Sequence, residues 1–385
     1  MFDKNLVNKF SKLETPFYFY DTNVLKRTLD SIKTESEKRN YIIHYAVKAN
    51  ANDEILRIIK EYGLGADCVS GNEITKAIES GFKSKDIVFA GVGKSDLEII
   101  TALKHNIFCF NVESAQELEI INSLAKSSNQ SAQVAIRINP NINAKTHHYI
   151  TTGLEENKFG INEWELSGIL EKIKSLKNIK LTGLHFHIGS QVTDLEVFKG
   201  LALRINEIQE WFVDHNIKLE HINAGGGLGI DYEHPDENQI PDFKSFFEIF
   251  ENFLQVRTGQ KVHFEIGRAI VAQCGSLVSR VLYIKKGENT SFAILDAGMT
   301  ELIRPALYQA YHKIENLTSD GVQRRYDVVG PICESSDTFA KAILLPETKR
   351  GDLIAIRSTG AYGEEMSLRY NLRPEVSSVF SDDIF

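Results

Sequence analysis

A TIM-type (β/α)8 barrel followed by an antiparallel β domain is the fold class that the sequence predicts, and three observations predict it. From about residue 41, short β-branched or aromatic runs alternate with longer amphipathic stretches, as parallel strands joined by crossover helices do. Eight such runs occur before the chain reaches Arg268. After Arg268 strand-like runs follow one another between turn signals, with little helical periodicity. The chain has 385 residues, of which 42% are hydrophobic and 25% charged, enough for a full core and two domains.

Taken in order, TPFYFYD (15–21) is strand-like and precedes a helical segment, NVLKRTLDSIKTE (23–35), so it is expected to return and pair with the C-terminal sheet. The eight barrel strands are then YIIHYAV (41–47), GADCVS (65–70), DIVFAG (86–91), IFCFNV (107–112), QVAIRINP (133–140), LTGLHFHIG (181–189), LEHINAGGG (219–227) and VHFEIGR (262–268). Between them, NEWELSGILEKIKSL (162–176) and PDFKSFFEIFENFL (241–254) carry helical periodicity. Past the barrel come CGSLVSRVLYI (274–284), SFAILDAG (291–298), RYDVVGPI (325–332) and DLIAIRSTG (352–360). The expected domains are therefore a barrel over 22–268, and a β domain built from 1–21 and 269–385.

Forty-four Lys plus Arg against 52 Asp plus Glu leave a net charge of −8. Without a basic block, that balance disfavours nucleic acid and anionic membrane as partners and points to a small-molecule substrate. The N-terminal stretch MFDKNLVNKFSKLETPFYFY mixes charge through its apolar residues, and no apolar run approaches the roughly 18 residues of a membrane span. A cytoplasmic protein is expected. Cys68, Cys109, Cys274 and Cys333 lie far apart with no C-x-x-C pair, which fits reduced thiols better than a disulfide framework or a zinc site.

The unusual residues gather at the C-terminal ends of the expected barrel strands, where such barrels keep their active sites. Lys48 in YAVKAN ends the first strand; a partly desolvated lysine there can form a Schiff base, while taken alone it better fits a cationic stem snorkelling at a strand end. His185 and His187 in LHFHIGSQ fit an H-x-H metal pair, a ring stacked on a flat cofactor, or satisfied core histidines. In AGGGLG (224–229) Ile230 stands where a dinucleotide fingerprint would need glycine, so three consecutive glycines suggest a phosphate turn or a tight turn with positive φ. Glu265 and Arg268 in EIGR supply a carboxylate for a protonated ring nitrogen and a guanidinium for a phosphate or carboxylate, or else a structural ion pair. A Schiff-base lysine, a phosphate turn and a ring-nitrogen carboxylate are the parts that pyridoxal 5′-phosphate requires, with no metal.

Over nearly the whole chain, and in family order, YAVKAN, NKFG (Asn157–Gly160), HFHIGSQ, NAGGGLGI, EIGRAIVAQCG, DAGMTELIRPALYQAYH, GPICESSD and STGAYG resemble the pyridoxal-phosphate decarboxylases with an alanine-racemase-like barrel. DAGM…RPALY…AYH together with CES separates the chain from ornithine and arginine decarboxylases. It resembles the branch that converts meso-2,6-diaminopimelate to L-lysine and CO2, the last step of lysine biosynthesis. The resemblance implies Lys48 as the Schiff-base lysine, His187 stacked on the pyridine ring, and Ser190, Gly226 and Gly227 at the phosphate. It further implies Glu265 on the ring nitrogen, Gly267 and Arg268 at the phosphate and substrate side, and Tyr362 at the cofactor. Implied substrate contacts are Arg268, Arg304, Tyr308, Glu334 and Tyr362, with Cys333 as proton donor. A homodimer is implied in which Cys333 and Glu334 serve the partner's site.

Arg304 can pair with the distal carboxylate of diaminopimelate and Glu334 with its distal ammonium; without the family, both fit a surface ion pair and Cys333 fits a buried apolar thiol. Three other readings stay open at this point: a decarboxylase of a related substrate such as carboxynorspermidine, ornithine or arginine, a non-catalytic regulatory homologue and, more weakly, a metal-dependent barrel hydrolase built on His185 and His187. The chain departs from the family at Ile266, where proline is usual, and at Ser336, where glycine is usual. Both departures bear on loop conformation and leave the reacting groups in place.

Overall fold

The computed structural model describes residues 2–142 and 158–384; of the NKFG motif, Asn157 lies outside the described residues. In chain order the strands are β1 (Phe17–Tyr20), β2 (Tyr41–Ala46), β3 (Gly65–Cys68), β4 (Ile87–Phe89), β5 (Cys109–Val112), β6 (Ala132–Arg137), β7 (Ile179–His185) and β8 (His221–Asn223). They continue as β9 (Lys261–Ile266), β10 (Gly275–Lys286), β11 (Ser291–Leu295), β12 (Ile314–Asn316), β13 (Gln323–Val329), β14 (Thr338–Pro346), β15 (Leu353–Ile356) and β16 (Ser377–Phe380). The chain divides into two compact units, one of Leu29–Gly229 and Asp242–Gly267, the other of Met1–Thr28, Ile230–Pro241 and Arg268–Phe385.

In the first unit β2 to β9 close in sequence order into a parallel barrel, with β9 returning to β2 so that Glu265 stands opposite His44. Strands buried on both faces need apolar runs without strict alternation, and β3 and β5 are buried at every position. Serines end the connections after three of these strands. Ser70 accepts the N–H of Glu73, Ser95 forms a reciprocal capping box with Glu98, and Ser114 accepts the N–H of Glu117. Each satisfies a backbone donor that the following helix leaves open. The helix Phe243–Phe253 buries Phe243, Phe246, Phe247 and Phe250 on one face, and Phe246, Phe247 and Phe250 meet Phe264 of β9 edge to face at 4.9–5.6 Å. Burying each such ring contributes about 1.5–3 kcal/mol.

Polar rings occupy the barrel near the strand starts. His44 donates through Nδ1 to the carbonyl oxygen of Asp86 at 3.0 Å, and its Nε2 lies 2.8 Å from Nδ1 of His263. Phe108 lies flat against His263, with centroids 5.3 Å apart and planes 8° apart. His221 packs on the bare Cα of Gly183, where a Cβ would come within 2.4 Å of its Nε2.

The second unit is an 8-stranded sheet in the order β12-β15-β10-β11-β13-β14, and β1 pairs antiparallel with β10 and parallel with β16. The sheet is otherwise antiparallel except where β11 runs parallel to β13. Phe10, Phe17, Phe19, Val278 and Leu353 form a core in this unit. No helix among the described residues is long and apolar enough to cross a membrane.

Candidate active site

Lys48 does not extend β2. The strand ends at Ala46, and Val47–Ala49 form a 3-10 turn closed by the N–H of Asn50 on the carbonyl of Val47. The turn swings the ammonium to Asp67, the third residue of β3, whose Oδ2 lies 3.0 Å from Nζ. Asp67 is fully buried while the lysine side chain is 37% exposed, so the amine keeps a route outward. Burial, followed by the charge of Glu265, raises the Asp67 pKa against the opposing pull of Lys48.

Glu265, the penultimate residue of β9, is surrounded by side-chain nitrogens. Its Oε1 accepts from Asn111 Nδ2 at 2.9 Å and from Asn223 Nδ2 at 2.7 Å, and Oε2 lies 3.0 Å from His185 Nε2. Burial pushes this carboxyl up, but His185, and after it Lys48, outweigh burial and hold it well below the usual carboxylate range. The H-x-H motif therefore divides its labour. His185, the last residue of β7, serves Glu265, whereas His187 lies beyond the strand and its Nδ1 accepts the N–H of Gly226 at 3.4 Å. Burial, and then the positive charges of Arg137 and Lys48, lower His187 to about 3, so its ring stays neutral. Among the described residues no group of three His, Cys, Asp or Glu side chains is arranged to hold a metal.

The loops after β7 and β8 are joined by backbone bonds, Val192 N–H to Gly227 O at 2.8 Å and Gly229 N–H to Val192 O at 2.9 Å. Ser190 thereby lies on the loop tied to the glycine turn. Gly227 has φ of 105°, and a Cβ on Gly226 would fall 1.9 Å from the carbonyl oxygen of Glu265. Gly267 packs against Ala46 and Ala49, where a Cβ would stand 3.0 Å from each methyl. Arg137 of β6 pairs with buried Glu113 at 2.7 Å and lies over the ring of Phe159 at 4.7 Å, and Glu113 also accepts the N–H of Gly160. That network anchors the described part of NKFG beside the strand ends.

These groups fit pyridoxal phosphate: a lysine with a carboxylate partner, a glycine turn that no Cβ could enter, a neutral ring, and a buried carboxylate that remains ionised. Among the described residues, buried Asn111 Oδ1, Asp67 Oδ1 and His185 Nδ1 have no hydrogen-bond partner, which leaves polar capacity in the same neighbourhood.

In the second unit the remaining sequence-predicted residues form two groups. Arg268, which begins a short helix, donates from Nη1 to Tyr232 Oη at 2.6 Å and lies over the ring of Tyr362 at 4.9 Å. Tyr362 has φ of 58°, a left-handed backbone unusual for a non-glycine residue and common at functional sites. Arg304 is buried, 6% exposed, and its Nη1 contacts the same Tyr232 oxygen at 3.0 Å; Tyr308 ends its helix. Cys333 and Glu334 are exposed, unlike buried Cys68, Cys109 and Cys274. Glu334 accepts from Tyr370 Oη at 2.7 Å and so does not pair with Arg304 as a surface ion pair would. Their loop is tethered by Asp337, whose carboxylate accepts the N–H of Met299 at 2.6 Å and that of Ile332 at 2.7 Å. Neither Ile266 nor Ser336 takes a positive φ, so both departures from the family pattern sit in ordinary backbone.

Asp67, Asn111 and Asn223, with Arg137, in the first unit, and Tyr232 and His312 in the second, are neighbours of the residues above that motif reading missed. A short polar residue inside an apolar strand was the available signal for the first three.

Residues 23–272 match the family described as "Pyridoxal-dependent decarboxylase, pyridoxal binding domain". The chain is 57% identical to the diaminopimelate decarboxylase of Bacteroides thetaiotaomicron, over 98% of both chains. It superposes with a TM-score of 0.92 on the crystal structure of diaminopimelate decarboxylase from Helicobacter pylori complexed with L-lysine, at 43% identity over 98% of this chain and 94% of that one. A lysine/ornithine decarboxylase from Vibrio vulnificus, complexed with putrescine, shares the fold at a TM-score of 0.84 with 22% identity, covering 98% of this chain and 97% of that one. With a full-length relative this similar and a barrel whose lysine, glycine turn and carboxylate suit the cofactor, the chain belongs to the diaminopimelate decarboxylases, a branch of the pyridoxal-phosphate-dependent carboxy-lyases.

Proposed function

We propose that this chain removes CO2 from the D-configured carbon of meso-2,6-diaminopimelate to leave L-lysine, acting as a cytoplasmic homodimer. The observation that carries the reading is Lys48 paired at 3.0 Å with buried Asp67, together with a Glu265 carboxylate kept ionised. Pyridoxal phosphate, when bound, supplies the electron sink for the pair left behind as CO2 departs. Lys48 Nζ is the amine that carries the cofactor, and Asp67 holds the ammonium when the lysine is released. Glu265 would favour a protonated ring nitrogen, because a fixed negative charge stabilises a cationic ring. His187, neutral and fixed through Nδ1, offers a flat uncharged face, and Ser190, Gly226, Gly227 and Gly267 receive the phosphate end. Arg268 and Tyr362 serve the cofactor and substrate side.

Cys333 Sγ delivers a proton to the carbon that has lost CO2. Arg304 and Tyr308 bind the distal carboxylate, and Glu334 binds the distal ammonium. Ornithine and arginine bring no second carboxylate to Arg304, which favours diaminopimelate over both. The dimer is supported by the exposure of Cys333 and Glu334 next to a segment in which Tyr370 is 44% and Leu372 94% exposed, since exposed apolar surface beside reactive groups marks an interaction face.

The test is to supply the reconstituted protein with meso-diaminopimelate, L-ornithine, L-arginine and carboxynorspermidine in parallel, and to follow CO2 and amine products. Lysine formed from diaminopimelate alone is the expected result. Release from another substrate would overturn the roles of Arg304 and Glu334, and no release from any would favour a regulatory homologue.

A further inference from the structure

Arg304 is fastened on one side only. Its Nη1 donates to Tyr232 Oη at 3.0 Å and to His312 Nε2 at 3.1 Å, which uses both hydrogens on that nitrogen. His312 is able to accept because its Nδ1–H donates to the carbonyl oxygen of Arg357 at 2.8 Å. That bond fixes the neutral tautomer with its lone pair on Nε2. Burial, and then the charge of Arg304, lower His312 to about 3, so it remains an acceptor across the physiological range. Tyr232 does double duty, since its oxygen also accepts Arg268 Nη1 at 2.6 Å, and its ring meets His312 edge to face with centroids 5.1 Å apart.

Among the described residues no acceptor stands on Arg304 Nε or Nη2, and no carboxylate pairs with it. Yet the residue is only 6% exposed. An anion at that edge would add the charge-assisted bonds that the guanidinium does not make within the chain. The Nε–H and Nη2–H groups form the planar fork that fits the two oxygens of one carboxylate.

We propose that Tyr232 and His312 are positioning residues that pin Nη1 of Arg304, so that its Nε–Nη2 edge is preset for the substrate's distal carboxylate. The proposal rests on the reading of Arg304 as a substrate-binding residue. It makes the second carboxylate a selected feature of the substrate, because a ligand without one leaves the preset fork unmatched, and it gives the AYH motif, which ends at His312, a physical task.

The experiment uses the holoenzyme and three variants: Tyr232→Phe, His312→Leu, and His312→Gln, whose side-chain carbonyl keeps an acceptor. Two unreactive probes, L-lysine and cadaverine, differ by one carboxylate, and their dissociation constants are measured by calorimetry beside KM and kcat for meso-diaminopimelate. Tyr232→Phe and His312→Leu are expected to weaken L-lysine binding and raise KM by about tenfold or more, the order set by a hydrogen bond to a charged group. In the His312 variants cadaverine affinity and cofactor absorbance stay at wild-type values, and His312→Gln recovers most of the loss. Unchanged lysine affinity would overturn the proposal, as would equal weakening of lysine and cadaverine, or a loss in His312→Gln as large as in His312→Leu. A wild-type protein that prefers lysine over cadaverine but releases no CO2 from diaminopimelate would overturn the proposed reaction and leave the clamp standing.

Discussion

Replacing Lys48 by Ala removes the amine proposed to carry the cofactor and leaves Asp67 buried without its 3.0 Å partner. The purified variant is expected to lose visible cofactor absorbance and turnover together; a normal spectrum with normal activity would contradict the reading. Cys333→Ala should do the opposite, keeping the absorbance while turnover falls roughly 10²-fold or more, the scale of a lost general acid. Because Cys333 is exposed, its thermal stability should stay within about 0.5 kcal/mol of wild type. Lys48 and Glu265 were legible in the sequence because an ionisable residue closing an apolar strand is conspicuous. Asp67, Asn111 and Asn223 were not, since their roles depend on which strands face one another across the barrel. Tyr232 was harder still: it lies in a polar loop, and only the fold brings Arg268 and Arg304 to its oxygen.

The turn after β8 and the histidines near the strand starts carry predictions of their own. Gly226→Ala would push a methyl to 1.9 Å from the Glu265 carbonyl, so the backbone must move. A loss of about 1–3 kcal/mol in urea unfolding is expected, with weaker cofactor retention. His44, His221 and His263 are all lowered chiefly by burial, His221 to about 4, while Asp86, Glu220, Glu265 and Lys261 are the charged groups around them. An unfolded histidine titrates near 6.5, so between about pH 6.5 and about 4 the unfolded chain binds protons that the native barrel refuses. Stability must therefore fall as pH drops through that window, by up to about 1.4 kcal/mol per unit for each imidazole that stays neutral. Urea midpoints at pH 7 and pH 5 test this, and His221→Gln should shrink the difference. The eight barrel strands were readable because burial and length mark each one by itself. The 3-10 turn at Lys48 and the parallel β11–β13 pair were not, because the pairing partner of a strand leaves no trace in that strand's own pattern.

For the whole molecule the decisive matter is which subunit owns Cys333. If each site takes Lys48 from one chain and Cys333 from another, mixing inactive Lys48→Ala and Cys333→Ala proteins and letting subunits exchange should restore about a quarter of wild-type activity. Half of the dimers are then hybrids, each with one intact site of two. No recovery after verified exchange would place both residues in one subunit's site. The barrel-plus-sheet plan was visible in the sequence from the change of texture after Arg268, but the inclusion of Ile230–Pro241 in the β unit was not, because a polar loop has no periodicity to declare its allegiance. The tether at Asp337 adds a temporal consequence. Its carboxylate fixes the loop bearing Cys333 through Met299 and Ile332 of the same chain, so in the proposed dimer each protomer would finish the part it lends before it meets a recipient. Assembly of that dimer would be a delivery of completed goods, and activity regained after dilution-induced separation should then track encounter between protomers, rising with the square of protein concentration at early times.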